Sequence, residues 1–291
     1  MFRYIGAIFL LLAVSSCRKL VQDEFITPPS TPVINSILIA GKPLEVHTSF
    51  TANINASDIE TIEDADISLF VDGVFVENLA HAGNGFYLAT TIVEEMKTFK
   101  CEVAVPDYET IICIDSIPEK PTIFEIEHIN EAGRNEEGTT YPAIRLTFAN
   151  DTSVTLYFEV TIRLFVYEEE RLAFLEKITD PLIINEGLPI ALFSNQFIND
   201  TVYQLTLNYT TGLESAIDGI WHTVLFPLIV EFRNVSYDYY QFAKSAYLYE
   251  EGRYPDGLAA QTSVFNTYSN IENAYGIFAG YSVCQSDTIY P

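Results

Sequence analysis

The sequence predicts a mainly β protein, with an N-terminal immunoglobulin-like β-sandwich followed by a second β-rich sandwich domain that carries one helix near the C-terminus. Three observations predict this class. Short apolar or alternating segments recur between turn residues, Asp72-Gly73 forms a hairpin signal, and one long segment near the C-terminus has helical spacing. A chain of 291 residues has room for two domains that each bury a core.

The first predicted domain covers residues 33–120. Its strand-like segments are "VINSILIA", "EVHTSFTA", "ADISLFVDG", "GFYLATTIV", "FKCEVAV" and "TIICIDSI". About seven short strands in one region are typical of an immunoglobulin-like sandwich. The segment "IPEKPT" at 117–122 predicts the boundary, because two prolines so close together do not fit a central strand.

The second predicted domain covers residues 121–291. Its strand-like segments are "TIFEIEHI", "YPAIRLTFA", "VTLYFEVTIRLFVYEEE", "RLAFLEKI", "TVYQLTLNYT" and "HTVLFPLIVEFRNV". A helix is predicted at about 237–250, with Ser236 as N-cap and Gly252 as the C-terminal stop. The apolar stripe of this helix, which includes Tyr239 and Ala243, is expected to pack on the sheet.

The segment "YSNIENAYGIFAGYS", residues 268–282, combines glycines with aromatic rings and allows two interpretations. It is either a ring-lined ligand cradle or a strand whose rings fill a core. A strand at about 275–283 is favoured, because its side chains alternate and a glycine inside a strand indicates a bulge or a close neighbour. We therefore expect this strand to close the second domain.

The N-terminus predicts export and lipidation. Residues 1–16 form a lipoprotein signal peptide with Arg3, a short apolar stretch and small residues before Cys17. The sequence "VSSC" resembles the bacterial lipobox, in which the cysteine accepts the lipid and becomes the first mature residue. Residues 17–32 are polar and proline-rich, as expected for a flexible tether. The protein is thus expected to be held on a membrane through the lipid on Cys17.

The charge of the chain excludes some partners. Its formal net charge is -25, so nucleic acid and anionic lipid headgroups would be repelled. Cationic ligands are compatible with such a surface, although acidity also serves solubility alone. The identity of any small-molecule or peptide ligand is left open.

Three cysteines remain besides the lipidated Cys17 after the predicted cleavage. Cys101 and Cys113 lie on successive strand-like segments, where they form either a disulfide across a hairpin or two buried thiols. Cys284 is left over. The sequence has no C-x-x-C pattern and no closely spaced histidine pair, and the acidic cluster of residues 55–66 misses the calcium-loop spacing, so no metal site is predicted.

No catalytic motif predicts an enzyme or a cofactor. The four histidines are isolated, and H-E-x-x-H, G-x-S-x-G, Walker and G-x-G-x-x-G patterns are absent from the sequence. Three short motifs, "DSI", "DTV" and "DTI", resemble the O-glycosylation acceptor of some Gram-negative bacteria. Their hydroxyl residues, Ser116, Thr201 and Thr288, are candidate modification sites.

Three segments resemble a family of Gram-negative outer-membrane lipoproteins known as domain of unknown function 4249. They are "LIVEFRNVSYDYYQFAKSAY", "YSNIENAYGIFAGYS" and "GFYLATTIVEEMKTFKCEVAVPDYETIICIDSIPEKP". The chain departs from the family at Ala274 and Ala279, where glycine is commoner. The resemblance implies a lipidated two-domain β protein, often encoded beside TonB-dependent transporters, with no established catalytic residues.

Three functions are therefore considered. The first is a non-enzymatic, outer-membrane-anchored accessory protein that captures a ligand or binds a partner for a TonB-dependent transporter. The alternatives are a structural cell-envelope lipoprotein without a small-molecule ligand and a hydrolase with a dispersed active site. The sequence does not decide between the periplasmic and the cell-surface face.

Overall fold

The computed structural model describes residues 29–52, 58–167, 169–253 and 266–291. The predicted signal peptide, Cys17 and most of the predicted tether lie outside the described residues.

The described residues form nineteen strands, two α-helices and one turn of 3-10 helix at Asn195–Phe197. The strands are β1 (Pro32–Ile39), β2 (Pro43–Phe50), β3 (Asp66–Val71), β4 (Val74–Asn78), β5 (Ala80–Gly83), β6 (Phe86–Ile92), β7 (Thr98–Ala104), β8 (Ile111–Ser116), β9 (Ile123–Arg134), β10 (Thr140–Ala149), β11 (Tyr157–Val166), β12 (Glu169–Leu172), β13 (Phe174–Leu175), β14 (Leu192–Ser194), β15 (Val202–Thr210), β16 (Glu214–Ile217), β17 (Ile220–Thr223), β18 (Leu228–Val235) and β19 (Tyr275–Gln285). The helices are α1 (Pro181–Glu186) and α2 (Tyr237–Arg253).

The strands form three sheets, which confirms the predicted mainly β, sandwich-like class. The nine-stranded sheet has the order β12-β11-β18-β19-β1-β2-β6-β5, with β14 also paired to β11. The six-stranded sheet has the order β13-β15-β10-β17-β16, with β9 paired to β10, and the four-stranded sheet has the order β4-β3-β7-β8. The nine-stranded sheet contains strands from both sides of residue 121, so the two predicted regions share it.

The two smaller sheets pack against one face of the nine-stranded sheet. The four-stranded sheet shares a core with β1, β2 and β6, in which Ile34 and Phe99 are fully buried. The six-stranded sheet shares a second core with β11 and β18, built around Phe148, Phe158 and Phe232. Burial of these side chains is the main stabilising contribution to such a layered fold.

Strand β19 lies in the middle of the nine-stranded sheet. It pairs antiparallel with β18 and parallel with β1, so it joins the strands of both regions as well as ending the second one. Gly276 has a φ of 119°, and a Cβ atom there would lie 1.9 Å from the carbonyl oxygen of Ile34. The glycine is required because the backbone of β1 occupies the space of a side chain.

The hairpin predicted at Asp72-Gly73 is confirmed. Asp72 and Gly73 have φ values of 49° and 80° and connect β3 to β4. A second such turn, at Asp218 and Gly219 between β16 and β17, was not predicted. Positive φ at both central positions is typical of the type I′ turn that matches the twist of paired strands.

Helix α2 lies across the other face of the nine-stranded sheet. Ser236 caps it as predicted, because its Oγ accepts a hydrogen bond from the backbone N–H of Tyr239 at 3.1 Å. Tyr239 then packs edge-on against Tyr281 of β19. The predicted stop at Gly252 is wrong, since the helix includes Gly252 and Arg253. Glycine weakens a helix but does not by itself end one.

The short helix α1 was not predicted. Asp180 caps it by accepting a hydrogen bond from the backbone N–H of Leu182, Pro181 occupies its first turn, and Gly187 ends it with a left-handed φ of 74°. Asp180 also accepts a hydrogen bond from the Tyr203 hydroxyl at 3.1 Å, which ties the helix to β15.

Candidate ligand-binding cleft

A cleft of about 470 Å³ lies beside β11. Its volume is within the range of small-molecule and peptide pockets. Most of the lining residues are apolar, and the polar ones are Glu159, Thr161, Tyr247 and Glu251. The lining residues are Glu159, Val160, Thr161, Ile162, Leu172, Ala173, Phe174, Leu175, Pro189, Ile190, Ala191, Leu192, Leu207, Tyr247 and Glu251.

The cleft exists because β11 changes its edge partner along its length. Residues 157–159 of β11 pair with β14, and residues 163–166 pair with β12. Between β14 and β12 no strand pairs with the edge of β11 in the described residues. The segments 172–175 and 189–192, which start at the end of β12 and stop at the beginning of β14 respectively, line the cleft there. The C-terminal half of α2 contributes Tyr247 and Glu251 to the lining.

One side of the cleft is continuous with an ion-pair network beneath α2. Arg233 of β18 bonds both to Glu159 and to Glu231, each at 2.6 Å between Nη and Oε atoms. Arg163 lies with its Nε 3.2 Å from Glu231. Glu159 also accepts a hydrogen bond of 2.9 Å from the hydroxyl of Tyr239. Carboxylates and guanidinium groups thus alternate across β11 and β18.

The network holds the carboxylate of Glu231 ionised despite burial. Burial alone would raise the pKa of Glu231, but the hydrogen bond and charge of Arg233 outweigh it, so this pKa is lowered. Burial and the charge of Glu159 raise the pKa of the Tyr239 hydroxyl, which therefore stays a hydrogen-bond donor. The guanidinium of Arg233 also lies 4.7 Å from the ring centroid of Tyr281. Glu159 is the member of this network that lines the cleft, and Arg233 and Tyr239 hold its carboxylate in place.

A second ion pair, which is partly buried, fixes α2 beside the cleft. Lys244 and the Tyr240 hydroxyl both donate to the carboxylate of Glu186 at the end of α1. Burial would raise the pKa of Glu186, but the hydrogen bonds from Lys244 and Tyr240 lower it. Glu186 also accepts a hydrogen bond of 2.7 Å from the backbone N–H of Ser194. Its carboxylate therefore holds α2, α1 and β14 together.

The predicted disulfide partners face each other. Cys101 and Cys113 are opposite residues of the antiparallel pair β7–β8, both fully buried, and both are free thiols in this structure. Burial raises the pKa of Cys113 to about 12 and that of Cys101 further, so both stay protonated. Cys284 is a free thiol as well. The disulfide stays a prediction.

The three predicted glycosylation residues are exposed and lie apart from the cleft. Ser116 ends β8 and shares a 2.8 Å hydrogen bond with Thr98. Thr201 precedes β15, and Thr288 follows β19. Their exposure is compatible with modification, which stays a prediction.

The segment 268–282 is used for packing and for backbone hydrogen bonds. Asn270 accepts a hydrogen bond from the backbone N–H of Phe278 at 3.0 Å and donates to its carbonyl at 2.7 Å. It also donates to Asp238 at the start of α2 at 3.0 Å. Phe278 is fully buried, and no residue of this segment lines the cleft. Phe278 and Tyr281 are therefore core residues, whereas Tyr275 is 59% exposed, and none of these rings lines the cleft.

Within the described residues, no group of three or more His, Cys, Asp or Glu side chains is placed to hold a metal ion. The helices that the structure describes do not combine the length and the apolar character needed to cross a membrane.

These features define a mainly β protein with sandwich-like sheets and a ligand-sized cleft. The family model described as Domain of unknown function (DUF4249) matches residues 20–287, so the chain belongs to this family, as the resemblance indicated. The comparison with curated proteins found no match.

Proposed function

We propose that the protein is a non-catalytic lipoprotein, anchored to the outer membrane through Cys17, that captures a ligand or binds a partner for a TonB-dependent transporter. The observation that carries this proposal is the cleft, which is concave, largely apolar and close to 470 Å³ in volume. The lipobox-like "VSSC" supports the anchor, and the family resemblance supports the transporter.

The packing around the cleft suits a binding site. Its polar wall is fixed by the Arg233 ion pairs, and α2 is fixed by the Lys244–Glu186 pair. A site with locked side chains loses little conformational freedom when it binds, which favours affinity. The exposed Leu172 and Phe174, 59% and 68% accessible, give a ligand apolar surface to cover.

Detergent extraction followed by affinity purification tests the proposal. The wild-type chain is expected to carry acyl chains on Cys17 by mass spectrometry and to co-purify with a TonB-dependent transporter. The control is Cys17→Ser, which is expected to lose the acyl chains and to appear in the soluble fraction. A wild-type protein without lipid, or repeated purification without a transporter, would contradict the anchor or the accessory role respectively.

A cleft variant separates capture from docking. Ala173 lies at the cleft, and Ala173→Trp would place an indole ring in it. Loss of ligand capture with retained transporter binding is the outcome expected if the cleft is the capture site. Circular dichroism of the variant checks that the fold is unchanged.

A further inference from the structure

The edge of β11 that faces the cleft has two backbone groups without a partner strand. On one side, the N–H of Val160 donates to the carbonyl of Ala191 at 2.8 Å. On the other side, the carbonyl of Ile162 accepts from the N–H of Ala173 at 2.9 Å. Alternate residues of a strand point both backbone groups toward the same edge. The C=O of Val160 and the N–H of Ile162 therefore point into the gap, and within the described ranges neither has a backbone partner.

This arrangement matches a single peptide residue in an extended conformation, because Ala191 and Ala173 occupy the edge of β11 on either side of it. The free acceptor and the free donor lie on either side of Thr161, as in the bonding pattern of a parallel β-bridge. A bound residue would donate its N–H to Val160 and accept the N–H of Ile162 with its carbonyl. Strand addition of this kind supplies affinity from the main chain and leaves specificity to pockets for alternate side chains.

The walls of the cleft supply such pockets. Ile162, Leu175 and Ile190 line it on both sides of the β11 edge. Burying an apolar side chain contributes roughly 25 cal/mol for each Å² removed from water. A peptide with apolar side chains beside the bridged residue thus meets the apolar lining and the open strand edge at once.

The charge of the cleft favours a basic peptide. Glu251 lies at the cleft one turn after Tyr247, is exposed, and forms no ion pair with any described side chain. Glu159 is neutralised by Arg233, so Glu251 adds uncompensated negative charge in a chain of net charge -25. Opposite charge on a ligand would be attracted to this rim.

We propose that the cleft binds a free peptide through a β-bridge of one residue to Val160 and Ile162, with a basic side chain at Glu251. This inference rests on the proposed function in taking the cleft as the capture site. It adds the ligand class and the groups that recognise it.

Titration of the purified full chain with acetyl-Val-Lys-Val-amide tests the proposal. Three analogues carry an N-methyl group on one residue at a time, and a fourth replaces lysine by glutamate. One N-methyl position is expected to weaken binding about tenfold, because a hydrogen bond is lost, while the other two have little effect. The Ile162 amide is expected to exchange more slowly with solvent in the complex.

The charge is tested with Glu251→Gln, and the remote exposed Glu137→Gln is the matched control. Glu251→Gln is expected to lower the affinity for the lysine peptide about fivefold. The difference in affinity between the lysine and glutamate peptides is expected to become smaller. Glu137→Gln is expected to change neither affinity. Equal affinity for the lysine and glutamate peptides would overturn the basic preference.

The remaining outcomes separate this inference from the proposed function. The β-bridge would be overturned if all N-methyl analogues bound with equal affinity and the solvent exchange of the Ile162 amide did not change. That result would leave ligand capture in the cleft intact. Absence of peptide binding, with the transporter still co-purifying, would overturn peptide capture alone. Release of the co-purified transporter by the added peptide would assign the cleft to a transporter segment and overturn capture of a free peptide.

Discussion

Asp115 gives a sharp test of how the sheets are joined. It ends β8 of the four-stranded sheet, and its carboxylate accepts the backbone N–H of Gly280 in β19 at 2.9 Å and that of Ser116 at 2.8 Å. Burial raises the pKa of Asp115 from 3.8 to about 7, and the charge of Asp238 adds to the rise. The hydrogen bonds from Ser236 and from the two backbone N–H groups lower the pKa but do not outweigh burial. The carboxylate is thus ionised in the folded state only above neutral pH.

The sign of the effect follows from proton linkage. Between 3.8 and about 7 the folded protein keeps a proton on Asp115 that the unfolded chain releases. Folding stability from this group is therefore fully present at low pH and is lost as the pH rises through this window. About three pH units at about 1.4 kcal/mol each give a loss of about 4 kcal/mol.

The variant Asp115→Asn removes the titration. Its single carbonyl oxygen satisfies one of the two backbone donors, so the lost bond costs about 1 kcal/mol at every pH. At about pH 8 the variant is therefore expected to be more stable than the wild type by about 3 kcal/mol, and at about pH 5 the two are expected to differ by less than about 1 kcal/mol.

Urea unfolding followed by circular dichroism, at several values between about pH 5 and about pH 8, measures this difference. The control is Asp287→Asn, a neutralised carboxylate that is exposed after β19. Its stability curve is expected to run parallel to that of the wild type. If the stability of Asp115→Asn also ran parallel to that of the wild type across this pH range, burial would not destabilise the Asp115 carboxylate between β8 and β19. That result would refute the reasoning.

Three further substitutions test the packing, each by urea unfolding. Gly276→Ala is expected to cost at least about 3 kcal/mol, because its Cβ would lie 1.9 Å from the Ile34 carbonyl and its φ of 119° is unfavourable for other residues. Asn270→Ala is expected to cost about 2 to 4 kcal/mol, since the two hydrogen bonds to the Phe278 backbone are lost. Arg233→Met is expected to cost about 3 kcal/mol, because it removes the guanidinium that pairs with Glu159 and leaves Glu231 with Arg163 as its remaining cation.

Each substitution has a matched control. Gly41→Ala keeps a positive φ of 85° but has no atom within 4 Å of the added Cβ, so it isolates backbone strain from the clash at Gly276. Asn199→Ala removes an exposed amide. Arg171→Met removes the exposed partner of Glu169 and is expected to cost less than about 1 kcal/mol. A control as destabilising as its test variant would contradict the explanation given for that site.

Local patterns in the sequence predict much of the secondary structure. Alternation identifies segments such as β1 and β7, the pair Asp72-Gly73 identifies its hairpin, and Ser236 identifies the start of α2. These signals act over a few residues, where backbone preference and side-chain period decide the outcome. The short helix α1 had its own signals in Asp180, Pro181 and Gly187, but six residues are too few to show a helical period.

Pairing between distant strands has no comparable local signal. The pattern of β19 shows a strand but not that its neighbours are β18 and β1. Gly276 indicated a close neighbour, and that neighbour is the backbone of Ile34.

The cleft was missed for a related reason. Polar and apolar residues alternate along β11, which predicts a polar face formed by Glu159, Thr161 and Arg163. The same alternation along β18 predicts a polar face that contains Glu231 and Arg233. The sequence does not show that these faces lie side by side beneath a helix. The change of edge partner from β14 to β12 depends on the path of the chain between them, which no periodicity encodes.

The parallel pairing of β1 with β19 has a kinetic consequence. Val33 and Tyr275 are register partners, so the first described strand reaches its neighbour only after nearly the whole chain is available. Contacts so distant in sequence form late, since a long loop must close first, and folds dominated by them form slowly. Until then β1 has an unpaired edge that could bind another unfolded chain. The nine-stranded sheet is therefore expected to assemble after synthesis, and truncation within the last twenty residues is expected to leave both cores incomplete and the protein prone to aggregation.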